Sequence, residues 1–256
     1  MSAGRVRTAF ARSAGKRPWV LGHRGASARA PENTLRAFSL ALDEGADGVE
    51  LDVRLAGTGE VVVFHDRDLA RRAGMPGQVR HTSLAQLRAC DVGEGERVAL
   101  LDEALELVLG RGGLVNVELK SDDVDAERLA AAVAAQLAGR APDLRARVIV
   151  SSFDASMLER FRAHAGASDV ALAYLFDDVH VPRVERERIE LRLPLAAVHP
   201  HAPLATPETV AAWHARGLCV NVWTVDAPDE LVRVAGAGVD AIVTNDPRGA
   251  LATLER

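Results

Sequence analysis

Eight short strand-forming runs recur along the chain, most of them separated by helix-like stretches. They are "PWVLG" (18–22), "DGVELDVRL" (47–55), "LVNVELK" (114–120), "ARVIVSSF" (146–153), "DVALAYLF" (169–176), "PLAAVHPH" (194–201), "GLCVNVWTV" (217–225) and "DAIVTN" (240–245). Between them, "PENTLRAFSLALDEG" puts Leu35, Phe38, Ala41 and Leu42 on one helical face, with Pro31 opening the helix and Gly45 ending it. "DAERLAAAVAAQLAG", "TPETVAAWHARG" and "APDELVRVAGAG" repeat that pattern, each closing on glycine. Strand–helix alternation specifies a parallel α/β architecture. Eight units close most simply as a TIM (β/α)8 barrel, and 256 residues is close to the roughly 250 such a barrel needs. The expected organisation is a flexible tail over 1–17 and a single barrel domain over 18–256.

A ninth run, "EVVVFHD" (60–66), sits only five residues after the second. A parallel crossover takes a dozen or more, so this run is expected to fold back as a hairpin-like extension that carries its "HD" end over the barrel mouth. Residues 67–98 then form a small insertion, rich in Arg and Gly, with one short helix at "SLAQLRA", where Ser83 and Gln86 make a capping box.

Composition excludes several classes. A net charge of −5 offers no basic field for nucleic acid. Hydrophobic residues make up 48% and mean hydropathy is +0.01, yet no apolar run approaches the ~20 residues of a membrane span. The basic start lacks the apolar core of a secretory signal. Two cysteines, Cys90 and Cys219, without a CxxC pair, argue against a disulfide scaffold or a zinc site. Free thiols in a cytoplasmic protein are expected; oligomeric state is left open.

In a barrel the C-terminal strand ends carry the chemistry. Glu50 and Asp52, two apart on one strand, point the same way, as do Asn116, Glu118 and Lys120 on the next. A parallel barrel strand is buried on both faces, so three inward acids are costly without a partner and should raise one another's pKa. A hard divalent cation, Mg2+ or Ca2+, resolves the cost. Lys120 stands out because, beyond Lys16, every other basic residue is arginine. A compact ammonium suits a phosphate oxygen or a carboxylate as a point charge. His23 and Arg24 end the first strand and His65 ends the hairpin extension. A site with three acids needs no histidine ligand, so the two histidines read as general acid and general base, and Arg24 as a bidentate contact for a phosphoryl group. Trp223, near the end of the seventh strand, and Phe153, ending the fourth, are candidate pocket-wall residues, with His199 and His201 beside them. His81, His164, His180 and His214 read as loop or helix-surface residues.

In combination, "HRGASARAPENTLRAF", "GADGVELDVRL", "VVVFHD", "NVELK", "VWTVD" and "GVDAIVTNDP" resemble, in order, the motifs of the glycerophosphodiester phosphodiesterase family, over about residues 19–250. The resemblance implies a divalent-metal-dependent TIM-barrel hydrolase of lipid and glycerol metabolism. Its substrates would be glycerophosphodiesters such as glycerophosphocholine or glycerophosphoethanolamine, and its products sn-glycerol 3-phosphate and an alcohol. It implies that His23 and His65 are the acid–base pair and that Glu50, Asp52 and Glu118 hold the metal. Arg24 and Lys120 would contact phosphate, and Trp223 would line the pocket. Two departures stand out. Ala99 and Leu100 replace a Pro-Thr that would cap the following helix, and Asp226 replaces a frequent Asn in "WTVD", altering a polar contact at the pocket. Competing readings are a lysophospholipase D-like enzyme, which needs an apolar trench that the basic insertion does not suggest, and a non-catalytic phosphate-binding barrel, which should have lost a histidine or an acid.

Overall fold

The structure is a computed structural model, described over residues 8–13, 15–122, 125–164, 169–177 and 183–255. In chain order its strands are β1 (Trp19–His23), β2 (Gly48–Leu55), β3 (Val61–Val63), β4 (Ala99–Leu100), β5 (Leu114–Leu119), β6 (Val148–Ser152), β7 (Ala171–Phe176), β8 (Ala197–Pro200), β9 (Cys219–Val222) and β10 (Ala241–Thr244). Eight of them, all but β3 and β4, form a parallel sheet in which β1 pairs with both β2 and β10, closing the barrel. The expected (β/α)8 architecture is what the chain adopts.

The hairpin expectation also holds. β3 runs antiparallel to β2, with Val53 opposite Val63 and Leu55 opposite Val61. A strand not expected from the pattern, β4, adds antiparallel to β3 through Ala99 and Leu100, the two residues that replace the expected cap. The Leu100 N–H is still satisfied, because Glu103 Oε2 accepts from it at 2.8 Å. In the insertion, Ser83 Oγ accepts from the Gln86 N–H and Gln86 Oε1 from the Ser83 N–H, as anticipated. Val62, Phe64, Leu69, Val79 and Leu87 give the insertion a small apolar core of its own.

Strand alternation sorts side chains into two layers. Val49, Leu51 and Val53 of β2 and Val115, Val117 and Leu119 of β5 face outward into the apolar layer under the helices. Leu21, Leu114, Ile149, Ala171, Ala197, Ala241 and Val243 point inward. The lower half of the barrel interior is therefore apolar, and the polar partners on the same strands lie above it.

Two expectations are corrected. The first helix, α1 (Leu35–Asp43), starts later than Pro31. Thr34 is the cap, its Oγ1 accepting from the Ala37 N–H at 3.1 Å, and residues 24–34 are a loop that builds the site. At the chain start, the segment just before β1 is anchored rather than loose. Phe10 is wholly buried among the inward residues that close the bottom of the barrel, and Arg12 N–H donates to Asp240 Oδ1 at 2.9 Å. A side chain that fills the hollow of a barrel gains burial that no tail in water has. Both cysteines are free, and no helix among the described residues is long and apolar enough to cross a membrane.

Candidate active site

The register of β2 against β5 places Glu50 opposite Asn116 and Asp52 opposite Glu118. Carboxylate oxygens of Glu50, Asp52 and Glu118, all buried, come within 4.8 Å of one another. Burial and the neighbouring acids push Glu50 well above the usual carboxylate range, and burial raises Glu118 against the opposing charge of Lys120. Asp52 departs from the expectation that all three would rise. Burial alone would raise it, but the charges of Lys120 and Arg24 hold it well below that range. The geometry shows why: Lys120 Nζ lies 2.8 Å from Asp52 Oδ1 and 2.5 Å from Glu118 Oε1, and Arg24 Nε lies 3.3 Å from Asp52 Oδ2. Asn33 Nδ2 adds a hydrogen bond to Asp52 Oδ2 at 2.8 Å.

This donor set fits a hard cation. It is all carboxylate oxygen, the preference of Mg2+ and Ca2+. Glu50 Oε1 is buried with no hydrogen-bond partner, a cost that a bound cation would remove.

The loop after β1 is held in an unusual shape. Arg24 and Asn33 both take positive φ, 56° and 59°, a conformation disfavoured for side-chain-bearing residues and concentrated at functional sites. Asn33 N–H closes the loop onto the Arg24 carbonyl at 3.0 Å, and Arg24 N–H donates to Glu50 Oε2 at 3.0 Å. Arg24 also pairs with Glu32 at 3.1 Å.

The two histidines face one mouth but have unlike partners. His23 Nδ1 lies 2.7 Å from Asn245 Oδ1, and its Nε2 lies 3.9 Å from Glu50 Oε2. Burial, then the charge of Arg24, lowers its pKa, favouring the neutral ring. His65 Nδ1 lies 2.7 Å from a carboxylate oxygen, Asp66 Oδ1. The His65 carbonyl accepts twice from Arg54, at 2.9 and 2.7 Å, and Arg54 pairs with Asp122 at 2.7 Å. Arg54 is itself 2% exposed, a buried cation that fixes the backbone at the end of the hairpin.

A cavity of about 250 Å3 joins these groups, lined on one side by His23, Arg24, Glu50, His65, Glu118 and Lys120. Phe153, Leu175, Trp223 and Val243 form an apolar wall opposite. Trp223 donates from Nε1 to the His199 carbonyl at 2.8 Å. Its ring meets Phe153 edge-on at 5.3 Å and His201 at 5.2 Å. His199 also reaches the cavity, held neutral by burial with its pKa near 3, and takes a hydrogen bond from Asn221. Of the candidate site residues named from the sequence, all but Asp52 and His201 line this one cavity; Asp52 sits against Arg24 and Lys120, and His201 against Trp223. Among the other histidines, His164 and His214 pair with Glu127 and Asp240, and His180 lies outside the described residues.

Sequence reasoning missed Asn33, Arg54 and Asn245, and brought Asp66 to the mouth with His65 without giving it a role. Arg54 was within reach, since it shares the inward phase of Glu50 and Asp52. Asn33 was hidden by reading "PENT" as a helix start. Asn245 touches a histidine 222 positions away, for which there is no local signal.

The model of the glycerophosphoryl diester phosphodiesterase family matches residues 23–248. The chain belongs to this family. It is 34% identical over 239 residues to a glycerophosphodiester phosphodiesterase of Caldanaerobacter subterraneus subsp. tengcongensis, covering 89% of this chain and 94% of that one. Among solved structures, it superposes with TM-score 0.85 and 30% identity on an Oleispira antarctica phosphodiesterase in complex with the product sn-glycerol-3-phosphate, covering 94% and 98% of the two chains. A glycerophosphodiester phosphodiesterase from Thermotoga maritima superposes with TM-score 0.77 at 30% identity, covering 94% and 99%. The glycerophosphodiester phosphodiesterase family thus accounts for the barrel and its enzymatic class.

Proposed function

We propose that the enzyme hydrolyses small glycerophosphodiesters, such as glycerophosphocholine and glycerophosphoethanolamine, to sn-glycerol 3-phosphate and an alcohol. In this reading Glu50, Asp52 and Glu118 hold a divalent cation, and His23 and His65 exchange the protons. The product class is supported by the Oleispira antarctica relative and its bound sn-glycerol-3-phosphate; the free thiols support a cytoplasmic setting.

The observation that carries the reading is the unlike pairing of the two histidines beside one buried acid triad. A ring whose Nδ1 faces a neutral amide is suited to being neutral, with Nε2 free to accept a proton. One whose Nδ1 faces a carboxylate is suited to carrying the extra proton and giving it up. His23 is therefore the base that deprotonates the nucleophile, and His65 the acid that protonates the departing alkoxide. Arg24 and Lys120 bind the phosphoryl oxygens, and their placement against Asp52 holds them there before substrate arrives. Phe153 and Trp223 seat the organic part of the substrate and exclude water from that side. Bound Mg2+ or Ca2+ would supply Lewis-acid polarisation of the diester and neutralise developing charge. The apolar wall is short and faces an ionic one, which favours a small diester over a lysophospholipid. All seven positions that a non-catalytic barrel should have lost in part are present.

The test is release of glycerol 3-phosphate from glycerophosphocholine by the purified enzyme. Activity should vanish in EDTA, return with Mg2+ or Ca2+, and be abolished by Glu50→Ala or Asp52→Ala. Full turnover in chelator after exhaustive dialysis would refute the metal assignment.

A further inference from the structure

His23 can act as a base in only one of its two neutral forms, with the proton on Nδ1 and Nε2 bare on the side of the acid triad. A neutral imidazole in isolation does not hold that form, so something must choose it. We infer that Asp226 and Asn245 are positioning residues that fix the tautomer of His23. The inference rests on the reading of His23 as the base.

The argument is an accounting of donors and acceptors. Val225 N–H bonds to the Val243 carbonyl at 2.9 Å, which brings the exits of β9 and β10 together and sets Asp226 beside Asn245. Asp226 Oδ1 accepts from the Asn245 N–H at 2.8 Å and from Thr244 Oγ1 at 2.8 Å. Thr244 Oγ1 in turn accepts from the Asp246 N–H at 3.2 Å, so its one proton is committed to Asp226. Asp226 Oδ2 lies 2.6 Å from the Asn245 side chain. A carboxylate only accepts, so the amide atom facing it must be the NH2. The amide oxygen is thereby turned the other way, where Ser27 Oγ donates to it at 2.8 Å and His23 Nδ1 stands at 2.7 Å. An oxygen at that distance requires Nδ1 to carry the proton. The choice of tautomer is set by a carboxylate that never touches His23.

Replacing that acceptor should invert the chain. In Asp226→Asn, of nearly the same shape, the new carboxamide keeps its bond to the Asn245 N–H with its oxygen and turns an NH2 toward the Asn245 side chain. Asn245 must then present its oxygen there and its own NH2 to His23, whose Nδ1 becomes the acceptor. The expected result is a shift of His23 toward the Nε2–H tautomer, read by 15N–1H correlation spectra of histidine-labelled enzyme, with the His65 pattern unchanged. With it, kcat should fall on the order of 10–100-fold at nearly constant KM. The reciprocal Asp226→Asn/Asn245→Asp double variant restores an acceptor at His23 and a donor opposite, and should return the Nδ1–H form. Asn245→Ala, which leaves Nδ1 no acceptor, is the second route to the same loss. Wild-type kcat with the Nδ1–H form retained in Asp226→Asn would overturn the inference, as would a loss of kcat without a change of tautomer. His23→Ala separates the underlying reading: wild-type turnover there would remove His23 as the base, whereas the tautomer shift is read independently of turnover.

Discussion

Phe10→Ala tests how the bottom of the barrel is closed. The ring is wholly buried and belongs to the inward apolar cluster that includes Leu21, Leu114, Ile149, Ala171, Ala197 and Ala241. Its backbone neighbours are tied down too, Ala9 N–H to the Ala146 carbonyl at 3.2 Å and Arg12 N–H to Asp240 at 2.9 Å. The cavity left by alanine is walled by hydrogen-bonded strands from around the barrel, which cannot close on it, so the cost belongs to the usual Phe→Ala range of about 3–5 kcal/mol. At about 2.1 cal/mol/K per residue, unfolding 256 residues carries an entropy of roughly 0.5 kcal/mol/K, and Tm should fall by about 6–9 °C. Scanning calorimetry measures this directly, and Phe10→Leu should recover more than half of the loss. The catalytic groups lie at the opposite end of the strands, so kcat and KM at 25 °C should be unchanged. A drop in Tm below about 2 °C would show that Phe10 does not close the barrel.

The other predictions concern the mouth. If His23 and His65 act as one unit, each single alanine variant loses most of kcat and the double variant little more; multiplicative losses in steady-state kinetics would show independent action. Lys120→Arg should lower kcat despite conserving charge, because a planar fork cannot repeat the ammonium's simultaneous approach to Asp52 and Glu118, whereas Lys16→Arg should be silent; wild-type kinetics from Lys120→Arg would show that the position asks only for a cation. Glu32 supplies a pH test: burial alone would raise its carboxyl, but the hydrogen bond from Arg71 and the charges of Arg24, Arg72 and Arg71 bring it down from 4.5 to about 2. A pKa lower in the folded state means stability that is fully present above about pH 4.5 and lost as pH falls toward 2. The Tm of Glu32→Gln should accordingly lie below wild type at pH 6 and converge on it by pH 2 in thermal melts, and parallel curves would refute the assignment.

Much of this protein follows from one-dimensional pattern. Alternation of strands and helices needs only local hydrophobic periodicity, and the inward phase of Glu50, Asp52 and Glu118 needs only the two-residue repeat of a strand. Placement at strand ends then puts His23 and Arg24 with them, and the short "AGTGE" connection brings His65 over the same mouth. What the tertiary structure decided is which groups meet across the closed barrel. Asp52 stays ionised while its two neighbours are driven toward protonation, because Lys120 and Arg24 reach Asp52 from two other segments, a balance of distances that composition does not encode. Phe10 belongs to the core only because the far ends of eight strands converge to leave a hollow of its size. Asn245 meets His23 only because β10 returns to pair with β1, Gly22 opposite Thr244, and so closes the sheet on itself. Periodicity repeats within a strand and says which way each side chain points; contact between the first strand and the last depends on closure, which is a property of the whole chain.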